Sequence, residues 1–308
     1  MRHSDCENTT EVKTSRWHGC LAALSHLALW AGLYVAAAVV YAAQVAGVWA
    51  SEGVWWRVVA VAGLTAAGVY LLDRVKARDA WLDPADREAH PARFEFLAGR
   101  SGWVRGLMVA LLAAAVPVGW TLTGWVAAGV TAAVAGVWVY AGRPRGRRAR
   151  VKDVLLLKNG FVAGGIAGFA GLMVVIAAGG GGPGAWWAWA VAHAGVVLIA
   201  CGTLAARVFA DAALCDLDDE RSDRAHGTVT LPTVLGRRSA WLTAMTLRLL
   251  VAGVLWFTAG GQTAPRAWAV VTVVSTVGLW LWQPSRLRDL VDARFGAEAA
   301  VVMGVLAA

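Results

Sequence analysis

Residues 211–236 read DAALCDLDDERSDRAHGTVTLPTVLG and follow a run of apolar residues long enough to cross a membrane. Six acidic side chains, Asp211, Asp216, Asp218, Asp219, Glu220 and Asp223, gather there in a chain whose formal net charge is +8. A carboxylate beside lipid is costly unless water or a partner meets it. Asp216, Asp219 and Asp223 form D-x-x-D-x-x-x-D. At about 100° per residue, these three fall within an arc of roughly 60° on a helix and make one stripe. Asp218 points away from it, toward solvent or a neighbouring loop. Unpaired carboxylates spaced this way repel one another. A divalent cation relieves the repulsion, and oxygen-only ligands suit Mg²⁺, which completes its shell with waters and substrate phosphate oxygens. The plainer alternative is a solvated loop whose acids balance Arg221 and Arg224.

The rest of the chain places this stripe at a membrane face. With 308 residues, 58% of them apolar, and 18 Trp, the sequence carries more apolar surface than one soluble core requires. Stretches near the roughly 20 residues needed to span a bilayer lie at 21–48, 54–72, 103–121, 123–141, 155–178, 185–210, 239–260 and 266–283, with a short ninth at 295–308. If the N-terminus is cytoplasmic, 26 of the 28 basic residues fall on the inner side, leaving Arg57 and Arg266 outside. That positive-inside pattern predicts a plasma-membrane protein with an inner N-terminus and an outer C-terminus. The basic charge then reports topology and contact with membrane lipid, and nucleic-acid binding is excluded as the reading of the high pI.

Residues 1–19 are polar, and the first apolar segment is too long for a signal-peptide core, so it is expected to be retained as a span. Cys6, Cys20, Cys201 and Cys215 show no metal-ligand spacing and are expected to be free thiols. The glycine run 178–184 lacks the Lys-Ser/Thr ending of a phosphate loop and reads as an outer turn. His193, inside the sixth span, is either an acceptor-side base or a structural histidine. Gln44 reads as interfacial, and Trp55, Trp56, Trp103, Trp186, Trp187 and Trp241 read as an aromatic belt.

Asp216 to Gly227, with Asp223-Arg224 and Gly227 forming D-R-x-x-G, followed by Thr230-Leu231-Pro232, resembles the second aspartate-rich motif of the UbiA-type intramembrane prenyltransferases. Nine spans, an inner N-terminus and acidic inner segments after spans two and six are similar to that family over nearly the whole chain. Lys158-Asn159, after Tyr140 and a basic segment, looks like the family's positively charged approach to its cavity. The first motif departs from the family's N-D-x-x-D-x-x-x-D. With Asp73-Arg74 aligned on the middle D-R, Val69 stands at the Asn, Tyr70 at the first Asp and Ala77 at the last, so Asp73 alone is kept. Gly99-Arg100 matches part of the family's S-G-R.

The resemblance implies an all-α, polytopic membrane protein, a single domain over residues 1–308, with about nine helices around a central lipid-open cavity. It implies Mg²⁺-dependent transfer of an isoprenyl group from a prenyl diphosphate to a hydrophobic acceptor. Metal ligands and catalytic groups would be Asp73, Asp216, Asp219 and Asp223. The diphosphate would meet Lys158 and Arg100, with Asn159 and Tyr140 beside the substrate. Asp79 or Asp83 would need an irregular loop to replace Ala77. Two alternatives remain: a non-catalytic lipid-binding or scaffolding homologue, favoured by the eroded first motif, and a transporter, disfavoured because the acids crowd one face rather than the midplane.

Overall fold

A computed structural model describes residues 23–49, 53–75, 84–141, 154–180, 182–282 and 287–308. The polar N-terminus, Cys6, Cys20, Ala77, Asp79, Asp83 and the basic segment 143–153 lie outside the described residues. The helices are α1 (Leu29–Val45), α2 (Gly53–Val75), α3 (Pro84–Ala89), α4 (Pro91–Ala98), α5 (Ser101–Trp120), α6 (Val126–Ala141), α7 (Leu157–Gly179), α8 (Pro183–Ala192), α9 (Ala194–His226), α10 (Leu231–Leu235), α11 (Arg237–Thr258), α12 (Thr263–Trp282) and α13 (Leu287–Ala307). Among the described residues, α2, α5, α7, α9, α11 and α12 are long and apolar enough to cross a membrane, and α1 and α6 are shorter apolar helices. Phe257 and Leu281 are 86% and 81% exposed. Large apolar side chains turned outward from such helices suit lipid, not water. The protein is an all-α integral membrane protein.

The long helices pack in chain order: α1 on α2, α2 on α5, α5 on α6, α6 on α7, α7 on α9, α9 on α11, α11 on α12, α12 on α13, and α13 back on α1. Helix α1 also touches α7 and α9 and is buried along most of its length. Small residues permit this: a Cβ on Gly32 would stand 2.8 Å from the carbonyl oxygen of Gly63 on α2.

Helix α9 has 33 residues, which is about 50 Å where about 20 residues span a bilayer. Its last turns therefore stand beyond the apolar stretch, and they carry Asp216, Asp219 and Asp223. Gly227 ends it at φ 71°, with the Thr228 N–H donating to the Asp223 carbonyl at 2.9 Å. This left-handed C-terminal cap explains the glycine of D-R-x-x-G. Thr230 then caps α10, its N–H donating to Thr233 Oγ1 at 2.8 Å, with Pro232 in the first turn.

The C-terminal helix is longer than the apolar run 295–308 suggested, with 21 residues. Its first half is charged, and Arg288, Arg294 and Glu298 face protein. Arg294 Nη2 donates to Asp211 Oδ1 at 2.7 Å, and Glu298 pairs with Arg207 and, at 3.5 Å, with Arg248. Arg248 Nη1 donates to the same Asp211 oxygen at 2.7 Å and its Nε to Thr276 at 2.9 Å, while Arg207 donates to Thr272 at 2.8 Å. Arg207 and Arg248, grouped by sequence with the inner segment, are in fact fully buried within α9 and α11. The network ties the end of the ring to its interior.

Candidate active site

The carboxylate stripe is buried: Asp216, Asp219 and Asp223 are 2%, 9% and 7% exposed. Lys158 meets two of the acids and Arg288 the third. Lys158, in the first turn of α7, places Nζ 2.7 Å from Asp216 Oδ1 and 3.6 Å from Asp223 Oδ2. The neighbouring Asn159 donates from Nδ2 to Asp216 Oδ2 at 2.9 Å. Asp219 is paired with Arg288 of α13, and its Oδ1 lies 2.9 Å from His90 Nε2. Arg288 Nη1 stands 2.8 Å from the same His90 nitrogen. Burial, helped by Arg288 and Arg93, holds the His90 pKa below its ordinary value against the pull of Asp219, so the ring is neutral near pH 7.

Asp218 does not face solvent. Its Oδ2 accepts from the backbone N–H groups of Leu287 and Arg288 at 2.7 and 3.0 Å. It thus caps the N-terminus of α13 and sets Arg288 beside Asp219.

Asp223 differs from its neighbours: its Oδ2 is buried without a hydrogen bond. Burial, together with Asp219 and Asp216 and against the opposing Lys158, raises its pKa to about 6. A buried oxygen without a hydrogen bond and an oxygen-only donor set fit Mg²⁺ at this stripe. Among the described residues no three acids or other ligating groups already converge as a metal site. Protein cations already pair with them, Lys158 with Asp216 and Asp223 and Arg288 with Asp219.

The stripe borders a cavity of about 620 Å³. One end is polar, with Asp73, Arg74, Arg93, Lys158, Asp216 and Arg288; the remainder is mostly apolar, with Phe161, Phe169, Leu172 and Val137, and with Gly136, Gly164 and Gly168 giving room. Of the residues singled out from sequence, Asp73, Tyr140, Lys158, Asn159 and Asp216 line this cavity, and Asp219 and Asp223 adjoin it through Arg288 and Lys158. Tyr140 stacks on Phe161 at 5.5 Å.

Away from the stripe, Arg100, Gln44 and part of the Trp belt depart from expectation, whereas His193 takes the structural alternative. Arg100 does not line the cavity; it is exposed, its guanidinium lying 4.5 Å over the Phe96 ring. His193 sits at the break between α8 and α9, exposed and stacked on Trp189, away from the cavity. Gln44 is buried, with Oε1 accepting from Trp268 Nε1 at 2.7 Å. Trp55 and Trp186 are buried, so the belt is partial. Cys201 and Cys215 are free thiols. Sequence reasoning missed Arg288, Arg93, Asp292 and His90, of which all but His90 line the cavity. The signal was available for Arg288 and Asp292, whose i, i+4 spacing at the start of a helix puts both on one face.

Compared with known proteins, the sequence matches no family model and no curated protein. Its fold is similar to the apo structure of a UbiA homolog from Aeropyrum pernix K1, with a TM-score of 0.62 at 14% identity over 88% of this chain and 98% of that one. The UbiA-type resemblance read from the acidic motif is thus borne out at the level of the fold.

Proposed function

We propose that the protein transfers an isoprenyl group from a prenyl diphosphate to a hydrophobic acceptor within the membrane. The observation that carries this is the meeting of a buried carboxylate stripe and Lys158 at the polar end of an otherwise apolar cavity, in a UbiA-type fold. Asp216, Asp219 and Asp223, with Asp73 on α2, would hold Mg²⁺, which when bound supplies charge neutralisation for the departing diphosphate. Lys158 and Arg288 grip the diphosphate oxygens, and Arg93 adds charge at the same end. Asn159 orients Asp216. The apolar wall, with Tyr140, Phe161 and Phe169, holds the isoprenyl chain, excludes water from the allylic cation and offers aromatic faces to it.

The protein sits in the cell membrane with its N-terminus and polar cavity end facing the cytoplasm and its C-terminus outside. One observation favours the runner-up, a non-catalytic lipid-binding homologue: Val69 and Tyr70 both line the cavity where the family motif has an amide and a carboxylate. Binding of geranyl, farnesyl and geranylgeranyl diphosphate to the purified protein, with Mg²⁺ and with chelator, separates the two. Mg²⁺-dependent binding, with cell lipids differing by whole isoprene units when the gene is present, supports transfer; its absence for all three chain lengths leaves the lipid-binding reading.

A further inference from the structure

We propose that the cavity contains a second polar subsite, built from Tyr34, Thr65 and Asp211, that receives a neutral hydroxyl group of the occupant. All three line the cavity. They lie away from the diphosphate end: Thr65 is eight residues before Asp73 on α2 and Asp211 five before Asp216 on α9, about 12 and 7.5 Å along the helix axes.

Thr65 shows that something is missing. Its side chain is 1% exposed and its Oγ1 has no hydrogen-bond partner. Five other helical threonines turn the hydroxyl back onto their own helix: Thr131 to Ala127, Thr203 to Ile199, Thr243 to Ser239, Thr258 to Val254 and Thr276 to Thr272, at 2.6–2.9 Å. Thr65 makes no such bond. A buried hydroxyl left over in this way is costly unless an occupant of the cavity satisfies it.

Tyr34 and Asp211 supply the complementary half. Tyr34 Oη donates to Asp211 Oδ2 at 2.9 Å, while Arg248 and Arg294 both donate to Asp211 Oδ1 at 2.7 Å. The two guanidiniums keep Asp211 ionised and fix it as an acceptor. The Tyr34 proton is thereby committed, so toward the cavity its oxygen presents lone pairs only. A ligand group that donates to Tyr34 and accepts from Thr65 matches the pair, and a hydroxyl does both. An ionised carboxylate has no proton to give to Tyr34. The subsite therefore selects an alcohol or phenol over an acid. That this hydroxyl belongs to the prenyl acceptor rests on the transfer reading above; the hydroxyl preference does not.

The test uses the full chain in detergent and three probes of equal tail length, 4-hexylphenol, 4-hexylanisole and 4-hexylbenzoate, titrated calorimetrically against empty micelles as blank. The phenol is expected to bind at least about fivefold tighter than either analogue, the fold-change of about one hydrogen bond. Tyr34→Phe and Thr65→Val, both close in shape to the originals, are expected to shrink that preference toward unity while geranylgeranyl diphosphate still binds with Mg²⁺. Equal binding of the three probes by the unmodified protein overturns the proposal, as does a preference that survives both substitutions. A phenol preference without any prenyl diphosphate binding upholds the subsite and overturns the transfer reading instead.

Discussion

Arg288, in the first turn of α13, is paired with Asp219, in the middle of the carboxylate stripe on α9. The last helix of the ring thus delivers a cation to the acidic motif of the sixth apolar segment, and Asp218 holds that helix in place by its first two N–H groups.

Removing either member separates binding from assembly. Asp219→Ala is expected to weaken Mg²⁺-dependent prenyl diphosphate binding by about 10- to 100-fold, with membrane insertion unchanged because Asp219 lies outside the apolar stretch that decides it. Arg288→Gln, which loses a charge-assisted bond to phosphate, is expected to weaken the same binding by about tenfold. Calorimetry on the purified variants, beside their yield in the membrane fraction, checks both. Undiminished binding by Asp219→Ala would remove that residue from the metal assignment.

The buried ion network predicts a stability effect far from the stripe. Arg207 is fully buried and paired with the nearly buried Glu298. Arg207→Met leaves Glu298 with fewer partners and is expected to cost about 3–5 kcal/mol, as breaking a buried pair does. Removing both charges, with Arg207→Met and Glu298→Leu together, is expected to be less damaging than either change alone. Thermal unfolding in detergent reads the difference, and a double variant whose loss equals the sum of the two single losses would show that the two groups are not coupled.

Helix content and the stripe were legible because each rests on a local pattern: hydropathy for the helices, the three- and four-residue spacing of Asp216, Asp219 and Asp223 for the stripe. The C-terminal helix α13 was only half legible. Arg294 and Glu298 lower the hydropathy of a segment whose charges are neutralised by Asp211, Arg207 and Arg248 from helices remote in sequence. Arg100 failed for the converse reason. Its motif position was right, but Phe96, one turn earlier, takes its guanidinium. Gln44 reads as interfacial from its place near a span end, yet a bond to Trp268, 224 residues away, brings it inside.

The topology prediction follows from basic residues in segments partly outside the described residues. A reporter fused after Ala308 is expected on the outer face, and one inserted within residues 143–152 on the inner face. Accessibility of both to a membrane-impermeant reagent on intact cells decides it. Both reporters on one side would mean that an apolar helix lying between them, most simply the C-terminal α13, fails to cross.

The final prediction concerns the eroded first motif. Asp73 lines the cavity, as do Val69 and Tyr70, which replace the expected amide and acid, and Asp292, which enters from α13. If the protein works with this set, Asp73 and the stripe share the metal and diphosphate between them, and Asp73→Ala should cost as much binding as Asp219→Ala. Tyr70 is three residues before Asp73, so Tyr70→Asp adds a carboxylate about 60° from it on the same helix. Added ligand charge strengthens Mg²⁺ binding, and the Mg²⁺ concentration needed for half-maximal prenyl diphosphate binding is expected to fall by about tenfold. Val69→Asn beside it supplies the motif's amide and should add little, because a neutral ligand contributes less than a charged one. A protein adapted to fewer ligands keeps binding before and after these changes. A lapsed homologue binds no prenyl diphosphate as it stands and gains binding only when Tyr70→Asp is introduced, so the unmodified protein, titrated with Mg²⁺ in detergent, is the arm that decides.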